Sequence, residues 1–230
     1  MKRRQFNHRT LALRALLSAG PRSSRADAAE TTFDESWIDS PRRREVPVRI
    51  RWPAGEGACG VVLFSHGLGG SRSAGEAWGE AWRDAGFMVV HLQHLGSDIS
   101  IWQGGLASVK AAAQPDQYLQ RVLDARFAID ELARREQSGG SWGRVRLNAV
   151  GFCGHSFGAR TTQALAGETR PGADAGQLRE LNDERIKAFI AFSPGFTERD
   201  GTSYRVARQR FGQITQIGRA SCRERVCSTV

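Results

Sequence analysis

The sequence predicts an α/β fold in which a mostly parallel sheet carries helices on both faces. Short, nearly continuous apolar runs alternate with stretches of helical periodicity, and such runs are typical of parallel strands that are covered on both faces. One run leads directly into Gly154-His155-Ser156-Phe157-Gly158, which opens a helical stretch of small residues. The connections between parallel strands should be right-handed. Residues 31–215 are long enough for a single domain with one core.

Five strands are predicted. In the first, Val48, Ile50 and Trp52 alternate with two arginines, which is the period of a half-exposed strand, and the strand ends at Pro53. The other four are apolar runs that periodicity and length assign to buried strands. They are Gly60 to Phe64, Phe87 to Leu92, Leu147 to Cys153, and Ala188 to Phe192.

Two helices are predicted between these strands. One covers Ala74 to Ala85, and a longer one covers Asp116 to Gln137, where apolar residues recur at helical spacing with charges on many other positions. The stretch from Gly167 to Glu184 is polar and is interrupted by Pro171-Gly172, which favours a surface excursion of loop and short helix.

Ser156 is the candidate catalytic nucleophile. A serine hydroxyl needs a neighbouring base before it can attack, so it must project freely while its backbone turns sharply from strand to helix. Gly154 and Gly158 leave room for that turn. The alternative is a glycine-rich turn with an idle serine, and the preceding strand and following helix favour the nucleophile.

Two backbone N–H groups are candidates for the oxyanion hole that would stabilise a tetrahedral intermediate. One belongs to Phe157, the residue after the nucleophile. The other should come from the loop after an early strand, and Ser65 to Gly70 occupies that place. We assign this donor to Leu68, with Gly69 as second choice. A plain turn at a strand end is the alternative.

Four histidines invite a role as general base, and we assign it to none of them. His155 adjoins the nucleophile on a tight turn and should point away from it, and His66 should brace the oxyanion loop. His91 and His94 end a strand on the side where ligands collect, so they could line a pocket. His94 and Trp102 are therefore the pocket candidates. Neither the histidines nor the two cysteines of residues 31–215, Cys59 and Cys153, form a known metal motif, so no metal or cofactor is expected.

The body resembles bacterial α/β-hydrolases of the dienelactone-hydrolase-like group, and it is similar to serine esterases of the platelet-activating-factor acetylhydrolase and chlorophyllase type. Dienelactone hydrolases proper use a cysteine nucleophile, so Ser156 favours the serine esterase branch. The resemblance covers nearly all of residues 31–215. It rests on Trp37-Ile38-Asp39, Arg44 to Val48, Phe64 to Gly70, His91 to His94 with Gly96 to Asp98, and Gly154 to Gly158.

The resemblance implies that a Gly-x-x-Asp loop and a later histidine would follow the strand that begins at Ala188. Asp98 lies too early in the chain for the triad acid and Asp200 precedes the implied strand, so neither is assigned. Only about seventy residues follow Ser156, which leaves little room for both groups. We therefore expect the triad acid and base to be absent from this chain, the sheet to lack its C-terminal strands and helix, and the fragment to be inactive.

Both ends of the chain are expected to lie outside the domain. Residues 1–28 resemble a twin-arginine export signal, with a basic start, a modest apolar stretch and a closing Ala26-Asp27-Ala28. Export to the periplasm or the medium is the expectation, and a cytoplasmic protein with a basic N-terminus is the alternative. The apolar stretch is shorter than the ~20 residues of a membrane span, so stable insertion is not expected. Residues 217–226 match the translation of a common sequencing adapter, so 217–230 is expected to be a non-native tail.

The formal net charge of +9 is concentrated in these ends. Residues 1–28 contribute +6 and residues 217–230 contribute +2, so the body carries +1. A nearly neutral body gives no reason to expect a nucleic-acid partner. Nothing in the sequence predicts the oligomeric state.

The leading interpretation is a cofactor-free serine hydrolase that cleaves small acyl or lipid-like esters through an acyl-enzyme on Ser156. Its partner would be a small-molecule ester. A lactonase or another acyl hydrolase is an alternative within the fold, and a non-catalytic α/β-hydrolase-like binding protein is an alternative of another class.

Overall fold

The computed structural model describes residues 32–168 and 181–194, together with Phe211 and Ile214. Six strands form one sheet in the order β1-β2-β4-β3-β5-β6. The first two form an antiparallel hairpin, β2 also pairs antiparallel with β4, and the last four run parallel. The strands are β1 (Thr32–Asp39), β2 (Arg44–Arg51), β3 (Cys59–Ser65), β4 (Met88–Leu92), β5 (Val145–His155) and β6 (Ile186–Phe192).

Among the described residues, four α-helices lie between the strands. They are α1 (Glu76–Asp84), α2 (Gly105–Ala112), α3 (Pro115–Gln137) and α4 (Phe157–Leu165), and short 3-10 segments cover Ile99–Gly104 and Gly140–Arg144. Pro115 suits the first turn of α3, where its missing N–H would have no partner within the helix. Arg134 and Arg135 complement the helix dipole in the last turn.

Both faces of the sheet are covered. Val61 and Leu63 of β3 belong to the main core cluster, which includes buried residues of α3 and α4. Val62 and Phe64, which alternate with them, belong to a second cluster that Trp82 of α1 packs against. Burial on both faces explains why the central strands are continuous apolar runs.

This order and direction of strands is the α/β-hydrolase fold, and the predicted mostly parallel sheet with helices on both faces is confirmed. The five predicted strands and two predicted helices are present, with bounds that differ by a few residues. Strand β1 and helix α2 were not predicted. Among the described residues, no helix is both long and apolar enough to cross a membrane.

Strand β2 is more buried than its alternating pattern indicates. Arg51, expected on an exposed face, is 2% exposed, and its Nη2 donates to Oε1 of Glu76 on α1 at 3.3 Å. The strand lies between β1 and β4, and α1 packs beside it. The prediction of a half-exposed strand is therefore wrong at this position.

The predicted surface excursion at 167–184 is described only at its two ends. Leu181 and Asp183 are buried, which a wholly surface segment would not show. Residues 169–180 lie outside the described residues, as do the expected export signal at 1–28 and the expected non-native tail at 217–230.

Candidate active site

Ser156 lies on a sharp turn between β5 and α4, with its side chain exposed. Its φ is 55° and its ψ is −111°, in a region that residues other than glycine rarely adopt and that costs on the order of 1–3 kcal/mol. The turn is held by the Ser156 N–H, which donates to the carbonyl oxygen of Phe192 at 2.9 Å. Neighbouring structure thus holds the backbone turn at Ser156 in this conformation.

Glycines on either side of Ser156 permit a very close approach of α4 to the sheet. A Cβ on Gly154 would overlap the carbonyl group of Gly158, and a Cβ on Gly158 would overlap the carbonyl oxygen of Ser65 on β3. Because backbone atoms stand in the way, no side-chain adjustment would make room. The Gly-x-Ser-x-Gly spacing is therefore a packing requirement here.

The two candidate oxyanion donors differ from their neighbours in their hydrogen bonds. The N–H of Gly69 donates to the carbonyl of Ser97 at 2.9 Å, and that of Gly70 donates to the carbonyl of Gly67 at 3.1 Å. Within the described part of the chain, neither Leu68 nor Phe157 donates its N–H to a protein acceptor. Gly69, the second choice, is thereby committed elsewhere.

The loop after β3 lies directly beside the turn at Ser156, which is called the elbow below. A Cβ placed on Gly67 would lie 3.4 Å from Cβ of Ser156 and 3.5 Å from Nδ1 of His155. The segments that carry Leu68 and Ser156 are therefore in contact. The His155 ring lies close to Gly67, and its centroid is 6.1 Å from that of the Trp78 ring.

His66 is buried and braces the loop. The backbone N–H of His94 donates to its Nε2 at 3.1 Å, so Nδ1 carries the proton and donates to the carbonyl of Gly67 at 2.6 Å. Burial, with the Arg121 guanidinium next in weight, lowers the pKa of His66 well below its ordinary value. An imidazole that is neutral and hydrogen-bonded at both ring nitrogens is a structural group, which agrees with the bracing role expected for it.

His94 does not line a pocket. It has no exposed surface, its Nδ1 donates to Oδ2 of Asp124 at 3.0 Å, and its Nε2 accepts the Ser65 hydroxyl at 2.9 Å. Burial, followed by the Arg121 charge, lowers the pKa of His94 to about 4. His91 is likewise buried against Gly79, with Nδ1 bonded to the carbonyl of Ala74 at 3.0 Å. The expectation that these histidines face a pocket is therefore wrong.

Asp124 is the charged partner of this buried cluster. Arg44 donates to it through Nε at 2.7 Å and through Nη2 at 2.9 Å. Burial alone would raise the pKa of Asp124, but the hydrogen bonds from His94 and Arg44 hold it below the ordinary value. Sequence reasoning missed both Asp124 and Arg121. The available signal was their i, i+3 spacing on the apolar face of α3. Arg121 lies between Tyr118 and Val122 in the sequence, and Asp124 lies between Val122 and Ala125.

Trp102 lies over the loop after β3. Its indole Nε1 donates to the carbonyl of Gly69 at 3.0 Å, and a Cβ on Gly69 would lie 2.6 Å from the indole ring. The indole is 59% exposed, and Ile99 and Leu106 in the same segment are also exposed. Trp102 thus lies against Gly69, next to Leu68, with much of its indole exposed to solvent.

A second aromatic wall was not predicted. Trp78 of α1 stacks on Phe192 at the end of β6, with ring centroids 4.4 Å apart and planes 5° from parallel. The ring of His155, next to Ser156 in sequence, adjoins this pair. No signal in the sequence links Trp78 with Phe192, because their contact is set by the fold.

Among residues 32–168 and 181–194, no group of three His, Cys, Asp or Glu side chains could hold a metal ion, and no histidine or carboxylate is hydrogen-bonded to the Ser156 hydroxyl. Asp98 is buried and accepts from Gln93 Nε2 at 2.7 Å and from Ser100 Oγ at 2.6 Å. Asp200 lies outside the described residues.

No protein-family model and no curated protein matches this chain. Similar solved structures include dienelactone hydrolase from Anabaena variabilis (19% identity, 70% of this chain, 62% of that chain, TM-score 0.46). They also include brefeldin A esterase, a bacterial homologue of human hormone sensitive lipase (18% identity, 77% of this chain, 43% of that chain, TM-score 0.46). A third is acylaminoacyl peptidase from Pyrococcus horikoshii (16% identity, 71% of this chain, 23% of that chain, TM-score 0.47). The chain spans less than two thirds of the length of each, so the activity of the whole protein remains a proposal.

Proposed function

We propose that this chain is part of a serine hydrolase that cleaves carboxylic esters through an acyl-enzyme on Ser156. The observation that carries the proposal is the strained, exposed conformation of Ser156 beside two uncommitted backbone N–H groups, those of Leu68 and Phe157. Arg43 and Ser193 also have positive φ, so the argument rests on the position of Ser156 beside these two donors. Strain at an exposed serine so placed is expected of a nucleophile whose position is fixed before the substrate arrives.

In the proposed reaction the Ser156 oxygen attacks the ester carbonyl carbon and transfers its proton to a general base. The carbonyl oxygen becomes an oxyanion that accepts hydrogen bonds from Leu68 and Phe157. Collapse expels the alcohol and leaves an acyl group on Ser156, which water then hydrolyses. The base and its acid partner are assigned to no residue of this chain.

A serine is favoured over a cysteine as the nucleophile. Cys153, three residues before Ser156, is buried in the sheet, and burial raises the pKa of its thiol to about 12. A thiol that stays protonated and inaccessible is not a nucleophile at neutral pH.

Trp102 is proposed to bind an apolar part of the ester. It lies against Gly69, next to the proposed oxyanion donor Leu68, and presents an exposed indole. Segment 99–109 contains no charged residue, so it offers no ion pair to a charged substrate. An uncharged or lipid-like ester is therefore the proposed substrate class.

The test uses the full-length protein read from the source gene. It should hydrolyse a p-nitrophenyl ester, and Ser156→Ala should abolish turnover without changing the far-UV circular dichroism. Turnover that survives Ser156→Ala would overturn the proposal.

We also propose export through residues 1–28, and cell fractionation of the tagged protein with and without Arg3→Lys and Arg4→Lys tests it.

A further inference from the structure

The guanidinium of Arg121, on the sheet-facing side of α3, touches three separate segments around the candidate site. It has no exposed surface. Nη2 donates to the carbonyl oxygen of His66 and, at 3.1 Å, to the hydroxyl of Ser65, both in the segment that leads to Leu68. Nη1 donates to the hydroxyl of Ser97 at 2.8 Å in the loop after β4.

The third segment is the start of α4. Nε of Arg121 donates to Oγ1 of Thr161 at 3.4 Å, and the guanidinium carbon lies 4.8 Å from the centroid of the Phe157 ring. Phe157 carries the other proposed oxyanion donor. One side chain therefore contacts the segments that supply both N–H groups.

Ser97 connects the two loops further. While its hydroxyl accepts from Arg121, its carbonyl oxygen accepts the N–H of Gly69 at 2.9 Å. The residue after Leu68 is thus tied to a loop that Arg121 holds. Rotation of the Leu68 peptide is restrained on both sides, at His66 and at Gly69.

Only arginine suits this position. Its planar fork presents five N–H donors in fixed directions, whereas lysine offers three donors at one point. A buried cation is costly, and here the nearby carboxylates of Asp124 and Asp98 offset part of that cost. A well-packed apolar residue could fill the same volume, so the cation calls for an explanation beyond packing.

We infer that Arg121 is a positioning residue that holds the backbone N–H groups of Leu68 and Phe157 in one fixed arrangement for the oxyanion. This inference rests on the proposed function and names a residue that fixes the geometry of its oxyanion donors. Arg121 touches no substrate, and it acts through the segments that do.

The test compares Arg121→Lys with wild type in the full-length protein, with active sites counted by titration. A displacement of about 1 Å at a reacting centre costs on the order of 100-fold in rate, so kcat should fall by about that factor. KM should change by less than about threefold, because the side chain contacts no substrate. A loss of fold alone would reduce the number of active sites and leave the kcat of the remainder unchanged.

Arg135→Lys is the matched control, since Arg135 lies on the same helix over the rings of Trp37 and Trp142 and away from the elbow. Its kcat should stay near the wild-type value. Amide hydrogen exchange gives a readout without turnover. The N–H of Gly69 is hydrogen-bonded to Ser97, which Arg121 holds, so exchange at Gly69 should accelerate in Arg121→Lys but not in Arg135→Lys.

If Arg121→Lys does not fold, Ser97→Ala decides, because it removes one partner of the guanidinium and should lower kcat severalfold. A folded Arg121→Lys, or Ser97→Ala in its place, with wild-type kcat and exchange overturns the inference. Turnover that survives Ser156→Ala overturns the proposed function and this inference with it. Loss of turnover in Ser156→Ala together with unchanged Arg121→Lys overturns the inference alone.

Discussion

The hydroxyl of Ser65 lies 2.9 Å from Nε2 of His94, and neither residue has any exposed surface. With Asp124 bonded to Nδ1 of the same ring, the three residues reproduce the contacts of a catalytic triad inside the core. No substrate could reach the Ser65 oxygen. The cluster therefore fixes structure, and proximity of serine, histidine and aspartate does not by itself identify an active site.

Labelling separates the two serines. A fluorophosphonate applied to the full-length protein should modify the peptide that contains Ser156 and leave Ser65 unmodified, because only Ser156 is exposed. Peptide mass spectrometry reads the position of the adduct. An adduct on Ser65 would contradict the assignment of the buried cluster as structural.

Gly158→Ala should destabilise the fold by about 3 kcal/mol or more, since its Cβ would overlap the Ser65 carbonyl oxygen and only a backbone shift could relieve it. Urea unfolding measures the change. Gly143→Ala is the control, because a Cβ there meets no atom within 4 Å, and it should change stability by less than about 1 kcal/mol. Equal stability of the two variants would show that α4 does not approach β3 this closely.

The central strands could be predicted because burial on both faces leaves a local signature, as in Val61 to Phe64. Strand β1 could not, since its polar sequence becomes a strand by pairing with β2. There Asp34 lies opposite Arg49, whose Nε donates to it at 2.7 Å. The partner of each charge is distant in sequence, and local periodicity does not contain it.

The same reason limits prediction of the site. The Ser156 turn and the loop after β3 are encoded in short glycine patterns, so both could be located from the sequence. The pairing of the buried charges could not, because Arg44 and Asp124 are 80 residues apart. The spacing of Asp124 on the apolar face of α3 indicates its burial but does not identify its partner. Burial of His94 follows from these distant partners, which is why a pocket position was wrongly expected for it.

Acidification should destabilise the fold through its buried neutral histidines. Burial, with the Arg51 charge acting in the same direction, lowers the pKa of His91 to about 3. In the unfolded chain the imidazole titrates near 6.5, so between pH 7 and pH 5 the unfolded state gains a proton that the folded state does not bind. The stabilisation is complete above about pH 6.5 and is lost as pH falls, by about 2 kcal/mol for this group between pH 7 and pH 5.

Urea unfolding of wild type and His91→Gln at the two pH values measures this contribution. The loss of stability between pH 7 and pH 5 should be smaller in the variant by about 2 kcal/mol. The value of each protein at pH 7 corrects for the direct effect of the substitution. Equal losses in the two proteins would contradict a neutral His91 in the folded state.

Iodoacetamide should leave the native protein active. Cys153 is buried with its pKa raised to about 12, and burial also raises the pKa of Cys59. Both thiols should be alkylated only after unfolding, which mass spectrometry of the two peptides detects. Rapid native alkylation of Cys153 with loss of turnover would favour a cysteine nucleophile.

Trp102→Ala should reduce hydrolysis of esters with long acyl chains more than that of acetate esters. The indole is 59% exposed beside Gly69, so an acyl chain that packs on it would remove apolar surface of both partners from water. Loss of roughly 60 Å² of such contact costs about 1.5 kcal/mol, or about tenfold in kcat/KM. The measurement compares kcat/KM for p-nitrophenyl octanoate and acetate.

Ile38→Ala is the control, because Ile38 is equally exposed, at 60%, but lies on β1 at the edge of the sheet. If both variants change the octanoate-to-acetate ratio alike, or if neither does, Trp102 does not bind the acyl chain. The next contact to test is then the one between Trp102 and the alcohol group of the ester.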